Sequence, residues 1–219
     1  MKSIKSLILL FTLLISFNSY SAKLEINKEH SSLQFTVDYM TMIKVEGRFK
    51  SFTGTFDFDK KSHLLKNVEV KIDSNSLDTN EAKRDFHLKT MDFLFTSKYP
   101  EMLFHTTDTF TLPLNKNIAL SGELEIRGVK KRVAGKAKYK GTVIDPWGKE
   151  NHFFEFNLKV NRKDFKMNWN KKLDQGGFLV GDMIDISIFI QAQNAGQKTS
   201  FSTHMIPSSA LEKRKKNKK

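Results

Sequence analysis

The feature that most constrains the fold is a repeated alternation of apolar and polar residues with a period of two. From Leu33 to Tyr39, every second residue is apolar and the residues between them are polar. Successive side chains of a strand point to opposite sides, so this pattern buries one face and leaves the other in water. The pattern recurs at residues 45–49, 54–58, 68–72, 102–106, 118–126, 133–143, 154–160 and 184–192. It predicts about eight antiparallel strands.

Short polar or glycine-containing links separate several of these stretches. Links of this length suit hairpins, and sequential hairpins with one apolar face each form either an up-and-down barrel or a sandwich. We predict an all-β fold that is an eight-stranded antiparallel up-and-down barrel. Strands as long as 129–144 and 180–193 suit a tall, tilted barrel better than a compact sandwich. The links are residues 60–62, 115–117, 127–128 and 145–148.

One short helix is predicted between two strands, within residues 74–100. Asp78 followed by Glu81 resembles a capping box, and residues 81–91 contain neither Gly nor Pro. A helix at this place would cover one end of the barrel. One face of it would carry Arg84, His87 and Leu88.

The interior of the predicted barrel has two possible states. Eight strands enclose a space that side chains can fill or that one slender ligand can occupy. Small residues such as Gly47, Gly122 and Gly135 share the inward face with large rings, and they either relieve crowding or leave an apolar cavity. Any ligand there should be mainly apolar. The candidate ligand contacts on this face are Phe35, Val37, Phe49, Phe56, Phe58, Phe104, Leu124, Phe154, Phe156, Ile186 and Ile188.

Two polar residues of the predicted helix, Arg84 and His87, are further candidate ligand contacts. In one interpretation they and Asp85 form an ion pair and a hydrogen-bonded cap that fixes the helix on the barrel. In the other they form a polar mouth that meets a ligand head group. Near the end of a later strand, Arg162 and Asp164 are expected to form a structural pair.

The sequence lacks the signatures of several enzyme and cofactor classes. It contains no G-x-S-x-G, G-x-G-x-x-G, P-loop or H-E-x-x-H motif. It has no cysteine, which excludes disulfides, thiol catalysis, iron–sulfur clusters and a lipidated cysteine. Its six histidines are scattered without the spacing of a metal site. We predict a non-enzymatic protein without metal or cofactor; an enzyme acting on isoprenoid or envelope substrates is the weakest alternative.

The two ends of the chain differ from the alternating region. Lys2 and Lys5 precede an apolar run at 7–17 and small residues at Ser19 and Ser21, the pattern of a secretory signal peptide. The run is too short to span a membrane. We therefore predict an exported, periplasmic protein. Its parts are a signal peptide at 1–21, the barrel at 22–193 and a polar, basic tail at 194–219.

The tail ends in LEKRKKNKK, in which six of nine residues are basic, and it contributes to a formal net charge of +13. It is either a solvated, disordered segment or a peripheral contact with anionic lipid or lipopolysaccharide of the envelope. Nucleic acid is an unsuitable partner for an exported domain. The sequence leaves the oligomeric state open.

Ordered blocks of residues between 24 and 193 carry a resemblance to a known family. They include EHS at 29–31, VEGRF at 45–49, SLDT at 76–79, RDFHL at 84–88, GELEIRGV at 122–129 and NRKDF at 161–165. In these blocks the chain resembles the YceI-like family, bacterial polyisoprenoid-binding proteins with a lipocalin-like barrel. The chain departs from the family at Lys166, where a glycine is usual.

The resemblance implies an elongated apolar channel for a long isoprenoid or a related lipid, and it implies no catalytic residue. It favours a cavity over a filled core. We therefore predict a periplasmic carrier or sequestering protein for a polyisoprenoid, an isoprenoid quinone or a similar lipid. The alternative is a structural or envelope-interaction module that acts through its surface and its basic tail, with a filled barrel.

Overall fold

The computed structural model describes residues 21–196. The predicted signal peptide up to residue 20 and the tail beyond residue 196 lie outside the described residues. The described chain contains, in order, β1 (Ala22–Ile26), β2 (Ser32–Tyr39), β3 (Ile43–Phe49), β4 (Phe52–Asp59), β5 (Leu64–Asp73), β6 (Leu77–Asp78), α1 (Ala82–Leu88), β7 (Glu101–Thr106), β8 (Phe110–Thr111), β9 (Ile118–Ile126), β10 (Val129–Ile144), β11 (Glu150–Asn161) and β12 (Val180–Asn194).

Short breaks divide four strands of the barrel into two segments each. The pairs of segments are β1 with β2, β3 with β4, β5 with β6 and β7 with β8. Leu24 of β1 lies opposite Phe56 of β4, and Leu33 of β2 lies opposite Phe49 of β3. Both β1 and β2 also pair with β12. Because the two segments of a pair follow the same neighbouring strand, the twelve segments make eight strands.

The eight strands form a closed barrel in which neighbours in the chain are also neighbours in the sheet. β12 pairs with β11 on one side and with β1 and β2 on the other, which closes the barrel. The pairings between strands of the described chain are antiparallel, and α1 is inserted between β6 and β7. The predicted eight-stranded up-and-down barrel with one inserted helix is confirmed.

Two details of the predicted strands are wrong. The stretches at 45–49 and 54–58 are halves of one barrel strand, because residues 50–51 bend the chain without reversing it. Val143 was expected to face inward, but its side chain is 58% exposed. A bulge between Tyr139 and Gly141 adds one residue to β10, which turns Val143 outward.

The helix is shorter than predicted, and its capping differs. The Glu81 carboxylate accepts hydrogen bonds from the backbone N–H groups of Lys83 and Arg84, so Glu81 itself is the N-cap. The helix ends at Leu88, before the expected end at residue 91, and turns occupy residues 89–92. In residues 21–196, no helix combines the length and apolar character needed to cross a membrane.

The two ends of the barrel carry different connections. At one end, called the mouth, lie the turn at 40–42, α1 with residues 89–100, the turn at 127–128 and the connection at 162–179. At the other end, called the base, lie the links at 60–63, 112–117 and 145–149. The longest connections are therefore both at the mouth.

Candidate ligand-binding cavity

The barrel contains a cavity of about 480 Å³ that extends from the mouth to the middle of the barrel. Ligand pockets of proteins commonly measure about 300–1,000 Å³. Arg84, His87 and Trp169 line the cavity near the mouth, and Phe56 and Leu65 line its deep end. Most of its wall is made of the inward apolar side chains of the strands.

The base is packed with aromatic rings. Phe154 contacts Phe56 and Phe58 edge to face, with 5.1 Å between ring centroids in both pairs. Tyr139 lies 4.8 Å from Phe58 and 5.2 Å from Phe154, again between centroids. Phe58 and Phe154 are each 2% exposed. The sequence allowed either a filled interior or a cavity. The protein has both, a filled core at the base and a cavity below the mouth.

A satisfied polar cluster lies at the base, next to these rings. The Asn151 side-chain oxygen accepts hydrogen bonds from the side-chain amides of Gln191 and Gln193, each at 2.6 Å. Thr142 Oγ1 lies between the Tyr139 hydroxyl and His152 Nδ1, at 3.1 Å from the latter. Burial lowers the pKa of His152, and the Glu150 carboxylate opposes this effect in part. These hydrogen bonds allow polar groups to be buried at the base.

Most of the predicted ligand contacts lie on the cavity wall, and two do not. Phe58 and Phe154 point inward as expected, but they belong to the packed rings of the base rather than to the wall. Contact of the remaining side chains with a ligand stays a prediction. Those on the wall are Phe35, Val37, Phe49, Phe56, Phe104, Leu124, Phe156, Ile186, Ile188, Arg84 and His87.

Two glycines of the inward face make room for rings of the cavity wall. A Cβ atom at Gly47 would lie 2.3 Å from the nearest atom of the Phe35 ring. A Cβ atom at Gly122 would lie 2.5 Å from the Phe104 ring. These distances are below any van der Waals contact, so the rings of Phe35 and Phe104 can occupy their positions only because Gly47 and Gly122 have no side chain.

Arg84 fixes α1 to the rest of the mouth. Its Nε donates to Thr79 Oγ1 at 2.8 Å, and its Nη2 donates to the Thr79 carbonyl at 2.7 Å. The Asp85 carboxylate accepts from the N–H and the hydroxyl of the same threonine. Arg84 and Asp85 are thus linked through Thr79 by hydrogen bonds, and the expected ion pair between them is wrong. Arg84 and His87 also line the cavity, and their contact with a ligand head group stays a prediction.

His87 belongs to a group of three rings at the mouth. Its ring lies edge to face with those of Trp169 and Phe93, at 4.8 Å and 5.1 Å between centroids. His87 Nε2 lies 2.9 Å from Asp92 Oδ2, which sets the orientation of the imidazole. The mouth therefore offers aromatic faces and two nitrogen-bearing side chains, Arg84 and His87, beside an otherwise apolar cavity.

Arg162 holds the connection at 162–179 against the barrel. The residue is 2% exposed, and its guanidinium donates to the carbonyls of Gly181 and Trp169 at 2.8 Å and 2.9 Å. Its ionic partner is Asp182, at 3.3 Å, so the predicted pairing with Asp164 is wrong. The reason lies in the fold, because β12 returns along β11 and brings Asp182 to the buried guanidinium.

Lys166 retains the turn that a glycine would favour. Its φ of +61° is left-handed, a conformation that costs about 1–2 kcal/mol for a residue with a side chain. The Lys166 carbonyl accepts a hydrogen bond of 2.7 Å from Arg127 Nη1, which stabilises the turn. The departure from the family therefore leaves the connection at the mouth intact.

Sequence reasoning missed several residues of the cavity wall. Leu24 and Ile26 alternate with charged residues, a signal that could have identified β1, and Ile26 lines the cavity. The connection at 162–179 has no regular period. Its signal is the presence of Met167, Trp169 and Leu179 in a polar segment, and all three line the cavity.

A closed eight-stranded antiparallel barrel around an apolar cavity defines a class of ligand-enclosing barrels. Residues 24–192 match the family model of the YceI-like domain, and the chain belongs to the YceI-like family. It is 38% identical over 161 residues to Protein YceI of Escherichia coli O17:K52:H18, which covers 73% of this chain and 81% of that protein. In residues 21–196, no cluster of three or more His, Asp or Glu side chains is placed to hold a metal ion.

Solved structures show the same fold. The Campylobacter jejuni YCEI protein is 30% identical, with a TM-score of 0.61 over 72% of this chain and 89% of that one. Burkholderia cenocepacia BcnA is 19% identical, with a TM-score of 0.65 over 77% and 99%. A polyisoprenoid binding domain from Saccharophagus degradans is 15% identical, with a TM-score of 0.56 over 80% and 99%. At these last two identities, the likeness is one of fold.

Proposed function

We propose that the protein binds one long apolar lipid chain in the cavity of the barrel, as a carrier or sequestering protein and not as an enzyme. The main support is the cavity of about 480 Å³, which has an apolar wall and opens at the mouth. Membership of the YceI-like family supports a binding protein. The solved domain described as polyisoprenoid binding has the same fold, which supports a polyisoprenoid or an isoprenoid quinone as the lipid.

The energy of burial is sufficient for binding without a charged contact. Each buried CH₂ group contributes about 0.8 kcal/mol, so ten such groups give roughly 8 kcal/mol before the cost of association is subtracted. Inward side chains such as Phe35, Ile186 and Ile188 offer the matching apolar surface. Shape and length of the chain, more than polar contacts, then select the ligand.

We further propose that the lipid head group stays at the mouth, near Arg84 and His87. These residues and the Trp169 ring line the outer part of the cavity. The predicted signal peptide at 1–21 supports a periplasmic location. There, a soluble barrel would shield an apolar chain from water.

Native mass spectrometry of the processed protein, purified gently from its own envelope, tests this function. We expect one added mass per protein, which organic extraction and mass analysis identify as an isoprenoid lipid. An empty, folded protein that also takes up neither added quinone nor added polyprenol would contradict the proposal.

A variant that fills the cavity gives a second test. Ile186→Trp places an indole in the cavity, and we expect lipid uptake to fall at least about ten-fold, because the chain and the ring compete for the same volume. Ile186→Leu is the matched control and should bind as the wild type does. Circular dichroism of both variants would test whether they fold. Unchanged uptake by the folded Trp variant would remove the cavity as the site.

A further inference from the structure

Six large apolar side chains are exposed around the mouth, and we propose that this surface docks on a lipid bilayer containing anionic lipids. The six residues, called the mouth ring, come from the turn after β2 and the first residue of β3, from α1 and the turn that follows it, and from the connection before β12. They are Met40, Met42, Ile43, Phe86, Met91 and Phe178.

The exposure of the mouth ring is large for apolar residues. Met42 is 88% exposed, Phe86 is 76% exposed and Met91 is 69% exposed. Single exposed apolar side chains are common on soluble proteins, but a group of them around one opening marks an interaction surface. The mouth ring contains flexible methionines and exposed phenylalanines, which suit shallow insertion between lipid head groups.

The mouth ring is tied directly to the cavity. The Met40 N–H donates to the Leu179 carbonyl at 2.8 Å, and Leu179 lines the cavity. Phe178 precedes Leu179 in the chain. On α1, Arg84 and His87 line the cavity, while Phe86 between them is exposed. A bilayer that contacts the mouth ring would therefore face the opening through which a lipid must pass.

Basic side chains accompany the ring. Lys83, Lys166, Lys171 and Lys172 are exposed at the mouth, and within residues 21–196 none of them has a carboxylate at ion-pair distance. Unpaired lysines around apolar side chains are attracted to an anionic membrane surface and lose this attraction as salt is added. Fewer exposed carboxylates lie on the same elements, namely Glu81, Asp164 and Asp174, so a small positive excess remains. This charge complementarity favours an anionic bilayer as the partner.

The source of the ligand gives a second reason to choose a bilayer. The proposed ligand is a long apolar chain, which resides in a membrane and does not dissolve in water. Docking of the mouth would let the chain move between bilayer and cavity without crossing water. The reason for docking therefore rests on the proposed function, whereas the docking itself can be measured without any ligand.

The base offers a matched control surface. Val143, Ile144 and Trp147 are 58%, 69% and 65% exposed, but they flank the packed end of the barrel rather than the cavity. Asn194, where β12 ends, also lies at the base. Changes at the mouth therefore leave the segment that leads to the basic tail untouched.

The experiment compares two triple variants of the processed protein with its C-terminal segment intact. The mouth variant carries Met42→Ser, Ile43→Ser and Phe178→Ser, and the base variant carries Val143→Ser, Ile144→Ser and Trp147→Ser. Each is mixed with vesicles of phosphatidylethanolamine and phosphatidylglycerol, or of phosphatidylcholine alone. Vesicle co-sedimentation gives the partition coefficient, and vesicles containing a fluorescent polyprenol give the transfer rate.

We expect the mouth variant to lose at least about ten-fold in partition to the anionic vesicles and a similar factor in transfer rate. The base variant should keep both within about two-fold. Equal partition of the mouth variant and the wild type would overturn the proposal, and so would an equal loss in the base variant. A wild-type dimer that the mouth variant breaks, seen by analytical ultracentrifugation, would assign the ring to a second copy and also overturn it.

Failure of docking and failure of lipid binding are distinguishable. Polyprenol uptake from detergent solution measures the cavity alone, and we expect the mouth variant to retain it. A wild type that binds vesicles but takes up no lipid from detergent would contradict the proposed function and keep the docking surface. A wild type that takes up lipid but ignores anionic vesicles would keep the function and overturn the docking.

Discussion

At the base of the barrel, Phe58, Tyr139 and Phe154 fill the interior, whereas at the mouth the inward side chains of β2 and β12 surround a cavity. The same alternating pattern produces both regions. Rings that contact one another fill the base, and on the cavity wall two glycines make room for the rings of Phe35 and Phe104. Alternation thus decides which side chains point inward, and their sizes decide whether the interior is filled.

The connections between strands also differ between the base and the mouth. Short links join the strands at the base, while the mouth carries two long connections, at 79–100 and 162–179. The long connections are held by guanidinium groups that donate to backbone carbonyls, as Arg84 and Arg162 do. The base therefore supplies stability through apolar burial, whereas polar contacts that can be removed one at a time hold the long connections of the mouth.

The largest expected effect is at the base. Phe154→Ala should lower the free energy of unfolding by about 4 kcal/mol, because it removes a ring that contacts four others and leaves a void in a packed region. Phe35→Ala on the cavity wall should cost about half as much, since its ring already borders empty space. Urea unfolding followed by circular dichroism measures both. Equal losses would show that the base is no better packed than the wall.

Removal of the Arg162 guanidinium should have the next largest effect. Arg162→Met leaves buried carbonyls without donors, and we expect a loss of about 2–3 kcal/mol, with faster amide hydrogen exchange in residues 167–180. Arg127→Met is the control, because Arg127 donates to two backbone carbonyls, whereas Arg162 donates to four, and because Arg127 is less buried. Its loss should stay below about 1 kcal/mol. Similar exchange rates in the two variants would show that burial of Arg162 adds nothing.

The base should also respond to pH through His152. Burial lowers its pKa in the folded protein, so the unfolded chain takes up a proton first as the pH falls. Stability should therefore be constant above about pH 7 and should fall, on the order of 1 kcal/mol, as the pH decreases through about 6.5 toward 5. Urea titrations at several pH values measure this slope.

A histidine exchange identifies the group responsible. His152→Gln should flatten the slope between pH 7 and 5, because it removes the buried imidazole. The pKa of Glu150 is lowered by its hydrogen bond with Lys60, so its contribution is lost only at more acidic pH. A slope that persists in the His152 variant would assign the titration to another group.

The smallest expected effect is at the mouth. Arg84→Ala removes two hydrogen bonds to Thr79, and we expect a stability loss below about 1 kcal/mol, because the site is partly exposed. The clearer result should be a weaker preference for polyprenyl phosphate over polyprenol, measured by competition in native mass spectrometry. Lys171→Ala, at an exposed position of the mouth that does not line the cavity, controls for the loss of charge alone. Unchanged stability and unchanged preference would remove Arg84 from the site.

Several features of the fold were predictable because they depend on local chemistry. The alternation of β12, with Ile184, Ile186 and Ile188 inward, is explicit in the sequence, and the barrel follows from nine such stretches, two of which form one strand. The helix between β6 and β7 was predictable as well. Its end at Leu88 was not, because the turns at 89–92 make hydrogen bonds that carry no periodic signal.

Other features depend on contacts between distant parts of the chain. The bulge at Tyr139 and Gly141 reverses the side of Val143, and only the pairing with β11 reveals it. The pairing of Arg162 with Asp182 requires that β12 lie beside β11. Phe154 and Phe156 are both inward by pattern, yet only the packing of neighbouring strands places Phe156 on the cavity wall and Phe154 in the filled base.

The sequence by itself determined an all-β chain of antiparallel strands, because side-chain alternation and turn residues act over a few positions. Its resemblance to the YceI-like family rested on ordered blocks of residues instead. The tertiary structure alone decided that the barrel is filled at one end and hollow at the other. It also decided that exposed apolar and basic side chains surround the hollow end. The physical reason is that a cavity depends on how rings from several strands share one volume, which no single stretch of sequence specifies.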